Sequence, residues 1–217
     1  MNVLTRVVNR VQKYTNSKKV FTQANLSKLA NVSKNPIFTH HGGNKMMHEV
    51  WKRAPGFPAY SVSSAGRLRY NKTGRIMSTS RTTWGHVKIS INDEEGRRRT
   101  VSVAPLVAHA FLEPLDELSN SVILLDGDLQ NLDVRNLALR PRWFAWKYAR
   151  QLRTDNSNFH FHRIPIYNVT LDRYYPSIFD CGKEHGLLFS DILRSANVGT
   201  PVYPYGWRFE HPENTRV

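Results

Sequence analysis

Across residues 51–100, apolar side chains recur at every second position in short runs, and turns punctuate the runs. A period of two sends successive side chains to opposite faces of an extended chain, so this stretch is confined to short antiparallel strands with one buried face. Residues 62–70 alternate around Gly66. Residues 86–91 alternate up to the turn Asn92-Asp93-Glu94-Glu95-Gly96, and residues 97–103 form the return strand of a hairpin. Its second strand carries Arg97, Arg98 and Arg99, which either touch phosphate or line a solvated charged edge.

Beyond this stretch the period lengthens. Pro105 opens a helix with Leu106, Val107, Ala110 and Phe111 on its apolar face, ending before Pro114. An apolar strand over residues 122–128 closes in the turn Asp126-Gly127, and residues 133–137 form a short helix. In the C-terminal part a strand spans residues 164–169. Ser177, with Asp180 three residues on, matches a capping box for a helix that runs to about His185 and stops at Gly186. Ser190 caps a second helix over residues 191–196, and residues 205–209 close as a strand. Helix, glycine-containing turn, helix is the geometry that lays one helix into a groove, yet the second helix offers only Arg194 as an obvious reader. The fold class expected is α+β.

The 217 residues hold 31 Lys and Arg against 17 Asp and Glu, a formal net charge of +14. A surplus this large points to a polyanionic partner, nucleic acid first and an acidic membrane surface second. Residues 1–48 contain no acid and eight cations, with Val3, Leu4, Val7, Val8 and Val11 at helical spacing on one face and Arg6, Arg10 and Lys13 on the other. That composition fits a mitochondrial transit peptide or a basic arm that folds against nucleic acid. A second basic stretch, Arg140, Arg142, Trp143, Trp146, Lys147, Tyr148, Arg150 and Arg153, pairs cations with aromatics, which suits phosphate contact plus stacking on bases. The competing reading is a helix that packs Trp143 and Trp146 onto the core with its arginine face in water. No apolar run approaches the length of a membrane span. The single Cys181 excludes a disulfide framework and is expected to be a buried structural thiol.

Three stretches carry a resemblance. Glu49-Val50-Trp51-Lys52, Pro55-Gly56-Phe57, Tyr60-Ser61-Val62-Ser63, Gly66-Arg67-Leu68-Arg69 and Thr73-Gly74-Arg75-Ile76 resemble the small β module, NUMOD4-like, that opens many phage and organellar HNH homing endonucleases. Gly85-His86-Val87-Lys88-Ile89-Ser90-Ile91 and Leu106-Val107-Ala108-His109-Ala110-Phe111 lead into a second stretch that looks like the HNH core, and residues 164–209 are similar to the family's NUMOD1-like helix-turn-helix module. After the basic targeting segment or arm at 1–48, read from its composition, the resemblance implies a β module at 49–103, a degenerate ββα-metal core at 104–142, a basic and aromatic linker at 143–163, and a β-helix-turn-helix-β module at 164–217.

In that family the core is a hairpin and a helix around one divalent metal, with a motif of roughly Val-Asp/Asn-His-x-Asp-Gly-Asn followed by Asn-Leu. Its histidine deprotonates a water, while the preceding residue and the later asparagine hold the metal. Laid on Ser121-Val122-Ile123-Leu124-Leu125-Asp126-Gly127-Asp128, the ligand position falls on Ile123 and the general-base position on Leu124. Neither side chain can take up a proton or donate a lone pair. Asn136 matches the distal ligand, but one neutral amide is too little to hold magnesium, and Ala104 stands where the family often has an upstream histidine. An active nuclease would need a shifted register or His109 as a substitute base. His160 and His162 would share one strand face, with no third ligand nearby to complete a metal site.

The resemblance, the lost motif and the charge together imply a non-catalytic nucleic-acid-binding protein without metal or cofactor. The partner expected is RNA in preference to DNA, within a large ribonucleoprotein, and the location the mitochondrial matrix, as a structural component of the mitochondrial ribosome. An active HNH DNA endonuclease and a sequence-specific DNA-binding regulator are the alternatives.

Overall fold

The computed structural model describes residues 49–153 and 160–214, so the expectations placed on residues 1–48 lie outside the described part. Strands β1 (Trp51–Ala54), β2 (Phe57–Ser63) and β3 (Leu68–Tyr70) form an antiparallel sheet in chain order. Strands β4 (Ser80–Arg81), β5 (Val87–Asn92) and β6 (Arg98–Ser102) form a second, with Ile89 paired to Val101 and Ile91 to Arg99. Helix α1 (Val103–Phe111) packs against both sheets and against the hairpin β7 (Ser121–Leu124) and β8 (Leu137–Arg140). Val62, Leu68, Ile89, Ile91, Val103, Val107, Leu137 and Leu139 bury together in the core between them. Alternation decides the buried face of β5, where Ile89 and Ile91 go in, whereas β2 buries four consecutive residues, Tyr60 to Ser63.

The sharpest turn in the first sheet shows how tightly the modules join. Gly66 has φ +81°, and a Cβ there would collide with Leu132 from the loop between β7 and β8. Val134 N–H also donates to Ser64 O at 2.8 Å. The described residues accordingly belong to a single compact unit.

Helix α2 (Arg142–Gln151) follows β8 directly, in the stretch expected to be a linker, while residues 133–137 hold only the 3-10 turn Val134–Asn136. Phe144 and Tyr148, one helical turn apart, supply an apolar face that the density of Arg and Trp around them hid. They bury with Ile123 and Leu188 beneath the helix.

In the C-terminal module β9 (Ile166–Asn168) lies between β10 (Arg173–Tyr175) and β11 (Phe209–Glu210), covered by α3 (Ile178–His185) and α4 (Phe189–Val198). Ser177 Oγ accepts from Asp180 N–H at 3.0 Å, and Gly186 closes α3 at φ +61°, as the sequence predicts. The start of α4 differs. Its N-cap is Leu188, without a capping side chain of its own, and Gln151 Oε1 from α2 accepts from Phe189 N–H at 3.0 Å instead of Ser190. A cap supplied from another helix leaves no local signature in sequence. The closing strand is shorter than expected, because residues 202–207 form a turn bridged between Val202 and Trp207.

Candidate nucleic-acid interface

The segment that aligns with the family's motif is packing surface. Ile123 is buried beneath α2, and a Cβ added to Gly186, between α3 and α4, would lie 3.0 Å from its Cδ1. Ile123 is therefore where the C-terminal module docks. On the opposite face of β7, Leu124 lines a cleft of about 360 Å³ with Ala104, His86, Ser102, Asn120 and Leu129. The histidine placed in this cleft is His86; His109 is exposed on α1 and is not part of the lining.

Asn136 is fully engaged in holding the hairpin loop. Its Oδ1 accepts from Asp126 N–H at 2.9 Å, and its Nδ2 donates to Asp126 Oδ1 and to Asn131 O, both at 2.8 Å. Asp126 also accepts from Asp128 N–H at 2.8 Å and from Asn131 Nδ2 at 2.6 Å. Among the described residues no three His, Cys, Asp or Glu side chains converge on a metal position. His160 and His162 sit on a short 3-10 turn, not a strand, which turns residues two apart away from each other. His162 stacks on Phe179 at 3.7 Å.

The basic and aromatic residues divide by side of α2. Trp143 and Trp146 remain 50% and 63% exposed, so they are not core residues. Lys147 lies 5.4 Å from the Trp143 ring centre and Arg150 lies 5.5 Å from that of Trp146. With exposed Arg142 and Arg153 they form an outward face of alternating rings and cations without a carboxylate in the helix. The indoles lie close enough to those cations for both to meet a polyanion at once.

Arg140 is a correction. It is 3% exposed and turned inward, its Nη2 donating to Tyr205 Oη at 3.0 Å and His185 O at 3.2 Å, and its Nη1 to Leu139 O at 2.9 Å. It ties the hairpin to the C-terminal module and is closed to solvent and ligand alike. Arg97 and Arg99 are partly committed too, donating to Asp93 Oδ2 at 3.0 and 3.1 Å. Partial burial opposes the effect, but hydrogen bonds from Arg97 and Arg99 hold the Asp93 carboxyl down to about 2. Arg98 stands outside that cluster and is exposed. Arg194 is exposed on α4, 3.9 Å from Asp191. Cys181 is buried as expected, and burial pushes its thiol up, away from reactivity.

Residues 49–91 match the NUMOD4 motif. The match falls on the first of the three stretches and bears out the resemblance to HNH homing endonucleases there. No curated protein matches the chain. Among solved structures the chain is similar to one described as DNA binding and cleavage by the HNH homing endonuclease I-HmuI. That similarity has 22% identity and a TM-score of 0.42, over 75% of this chain and 97% of that one.

The NUMOD4 module holds functional candidates that the sequence reading passed over. Residues 50–92 carry Lys52, Arg53, Arg67, Arg69, Lys72, Arg75, Arg81 and Lys88 and no acid. Glu49, just before them, is itself paired with Arg67. Register puts Arg53, Ser61 and Arg69 in one row across the sheet, and the Arg69 guanidinium lies 4.5 Å from the Trp51 ring centre. The available signal was that the acid-poor composition of residues 1–48 continues to residue 92.

Proposed function

We propose that this chain is a nucleic-acid-binding protein that keeps a homing-endonuclease scaffold and does not cut. Its partner is RNA of a large ribonucleoprotein, in the mitochondrial matrix, with the mitochondrial ribosome as the assembly. The outward face of α2 carries the reading. Helix α2 buries Phe144 and Tyr148 and leaves Trp146, Lys147 and Arg150 in solvent, with Trp143 half-exposed beside them, its ring centre 5.7 Å from that of Tyr203. Stacking rings flanked by cations suit unpaired bases with their phosphates, which folded RNA offers more freely than duplex DNA. The absence of cutting is supported by apolar Ile123 and Leu124 and by an Asn136 amide committed to the loop. The mitochondrial assignment is supported by the acid-free amphipathic composition of residues 1–48.

Fluorescence anisotropy with a 20-nucleotide single-stranded RNA tests the interface. Trp146→Ala should weaken binding about tenfold, and Lys147→Gln should lower the slope of log K against log salt by about one. Unchanged affinity in both variants would refute the α2 face. Incubation with plasmid and magnesium or manganese should give no nicking; nicking abolished by Asn136→Ala would refute the non-catalytic reading. Tagged protein should co-sediment with a ribosomal subunit in low salt, and migration as a free small protein would sink the ribosomal assignment.

A further inference from the structure

The turn between β4 and β5 holds Trp84 out into solvent at 82% exposure, the highest of the exposed large apolar side chains among the described residues. It is held there firmly. Thr82 N–H donates to His86 O and Gly85 N–H to Thr82 O, each at 2.9 Å, and Thr82 Oγ1 accepts from His86 N–H at 3.0 Å. Gly85, at φ +87°, lets the turn close, and a Cβ there would sit 3.6 Å from Leu129. The indole therefore stands on a fixed turn that leans on the wall of the cleft described above, whose rim His86 forms two residues along. At about 360 Å³ the cleft falls within the usual range for small organic ligands, and it combines apolar walls, Leu124 and Leu129, with Ser102, Asn120 and His86 as polar groups.

The surroundings determine what fits. Residues 50–92 carry eight cations and no acid, and Arg81 and Lys88 flank the turn on β4 and β5. A polyanion with flat aromatic groups is complementary to that combination, whereas a basic or neutral peptide is not. A fully paired duplex keeps its base faces stacked and offers none to the indole.

We propose that Trp84 and the adjoining cleft form a site for an unpaired nucleobase. The base enters between Leu124 and Leu129 with its edge toward Ser102, Asn120 and His86, while its neighbour stacks on Trp84 and the phosphates lie along Arg81 and Lys88. The loss of polar groups at Leu124 and Ala104 thereby becomes the gain of apolar walls. The site rests on the nucleic-acid-binding reading above and adds to it a preference for bulged or unpaired positions.

The test uses the full chain with a 20-base-pair RNA duplex, the same duplex carrying one bulged 2-aminopurine, and the DNA counterparts of both. The wild type should bind the bulged probe about tenfold more tightly than the perfect duplex and change the 2-aminopurine fluorescence, the RNA and DNA arms showing which sugar is accepted. Trp84→Ala should remove that preference while leaving duplex affinity within about twofold, and Trp84→Phe should restore most of it. Leu124→Trp, which fills the cleft, should abolish the fluorescence change. Equal binding of bulged and perfect probes by the wild type, or equal weakening of both by Trp84→Ala, would overturn the site. In either case an intact Trp146→Ala effect keeps the α2 interface, whereas a wild type that binds neither probe brings down both.

Discussion

Replacing Asn136 with alanine separates a metal ligand from a structural clamp. The amide makes three hydrogen bonds, to Asp126 N–H, Asp126 Oδ1 and Asn131 O, from a buried position. Each is worth about 1 kcal/mol net, with more for the one to a carboxylate, so Asn136→Ala should cost about 3 kcal/mol. For a folded unit of this size each kcal/mol moves the unfolding midpoint by about 2–4 °C, giving an expected fall of about 6–12 °C. Circular dichroism melts in EDTA provide the assay, because a residue whose only task is to hold a metal loses nothing when no metal is present. Asn136→Asp sharpens the contrast. It would strengthen a metal site, but here it removes both donors and sets a second carboxylate against Asp126, so it should destabilise more at pH 7 than at pH 4. A midpoint within about 2 °C of wild type for Asn136→Ala in EDTA would refute the clamp, as would a magnesium-dependent stabilisation of the wild type that the variant lacks.

Three further outcomes follow from the packing. Ile123→Asp, alone or with Leu124→His, buries an unpaired carboxylate among Phe144, Tyr148 and Leu188, and should lower stability by roughly 3 kcal/mol without reviving nicking. Arg140→Ala leaves Tyr205 and His185 O without their donor and should cost about 2 kcal/mol in melts, while the salt slope of nucleic-acid binding stays at the wild-type value. Burial pushes His185 down to about 4 from its ordinary 6.5, and its Nε2 lies 2.6 Å from Tyr175 Oη. Between those two values the unfolded chain binds the extra proton, so stability should fall as pH drops from 6.5 towards 4, by about 3 kcal/mol in all, and His185→Gln should flatten that fall.

Much of the architecture was legible because it is local. The period-two pattern marks the hairpin of β5 and β6, and Ser177 and Gly186 mark the ends of α3. A helix packed on the core was one of two readings open for α2, but its inward face was not legible as Phe144 and Tyr148, which gain their meaning only once Ile123 and Leu188 lie beneath them. The site reading divided in the same way. Trp143, Trp146, Lys147 and Arg150 face outward as a binding surface requires, whereas Arg140, indistinguishable from them in sequence, is consumed by contacts 45 and 65 residues away.

By itself, the sequence determined the chemistry available: strong positive charge, an acid-free basic stretch, and apolar side chains at Ile123 and Leu124. Only the tertiary structure decided how those groups are used. Burial and hydrogen bonding act between residues far apart in the chain, so it is packing that makes Ile123 a docking surface, Asn136 a clamp and Arg140 a tie, and that leaves Trp84 and the face of α2 in solvent.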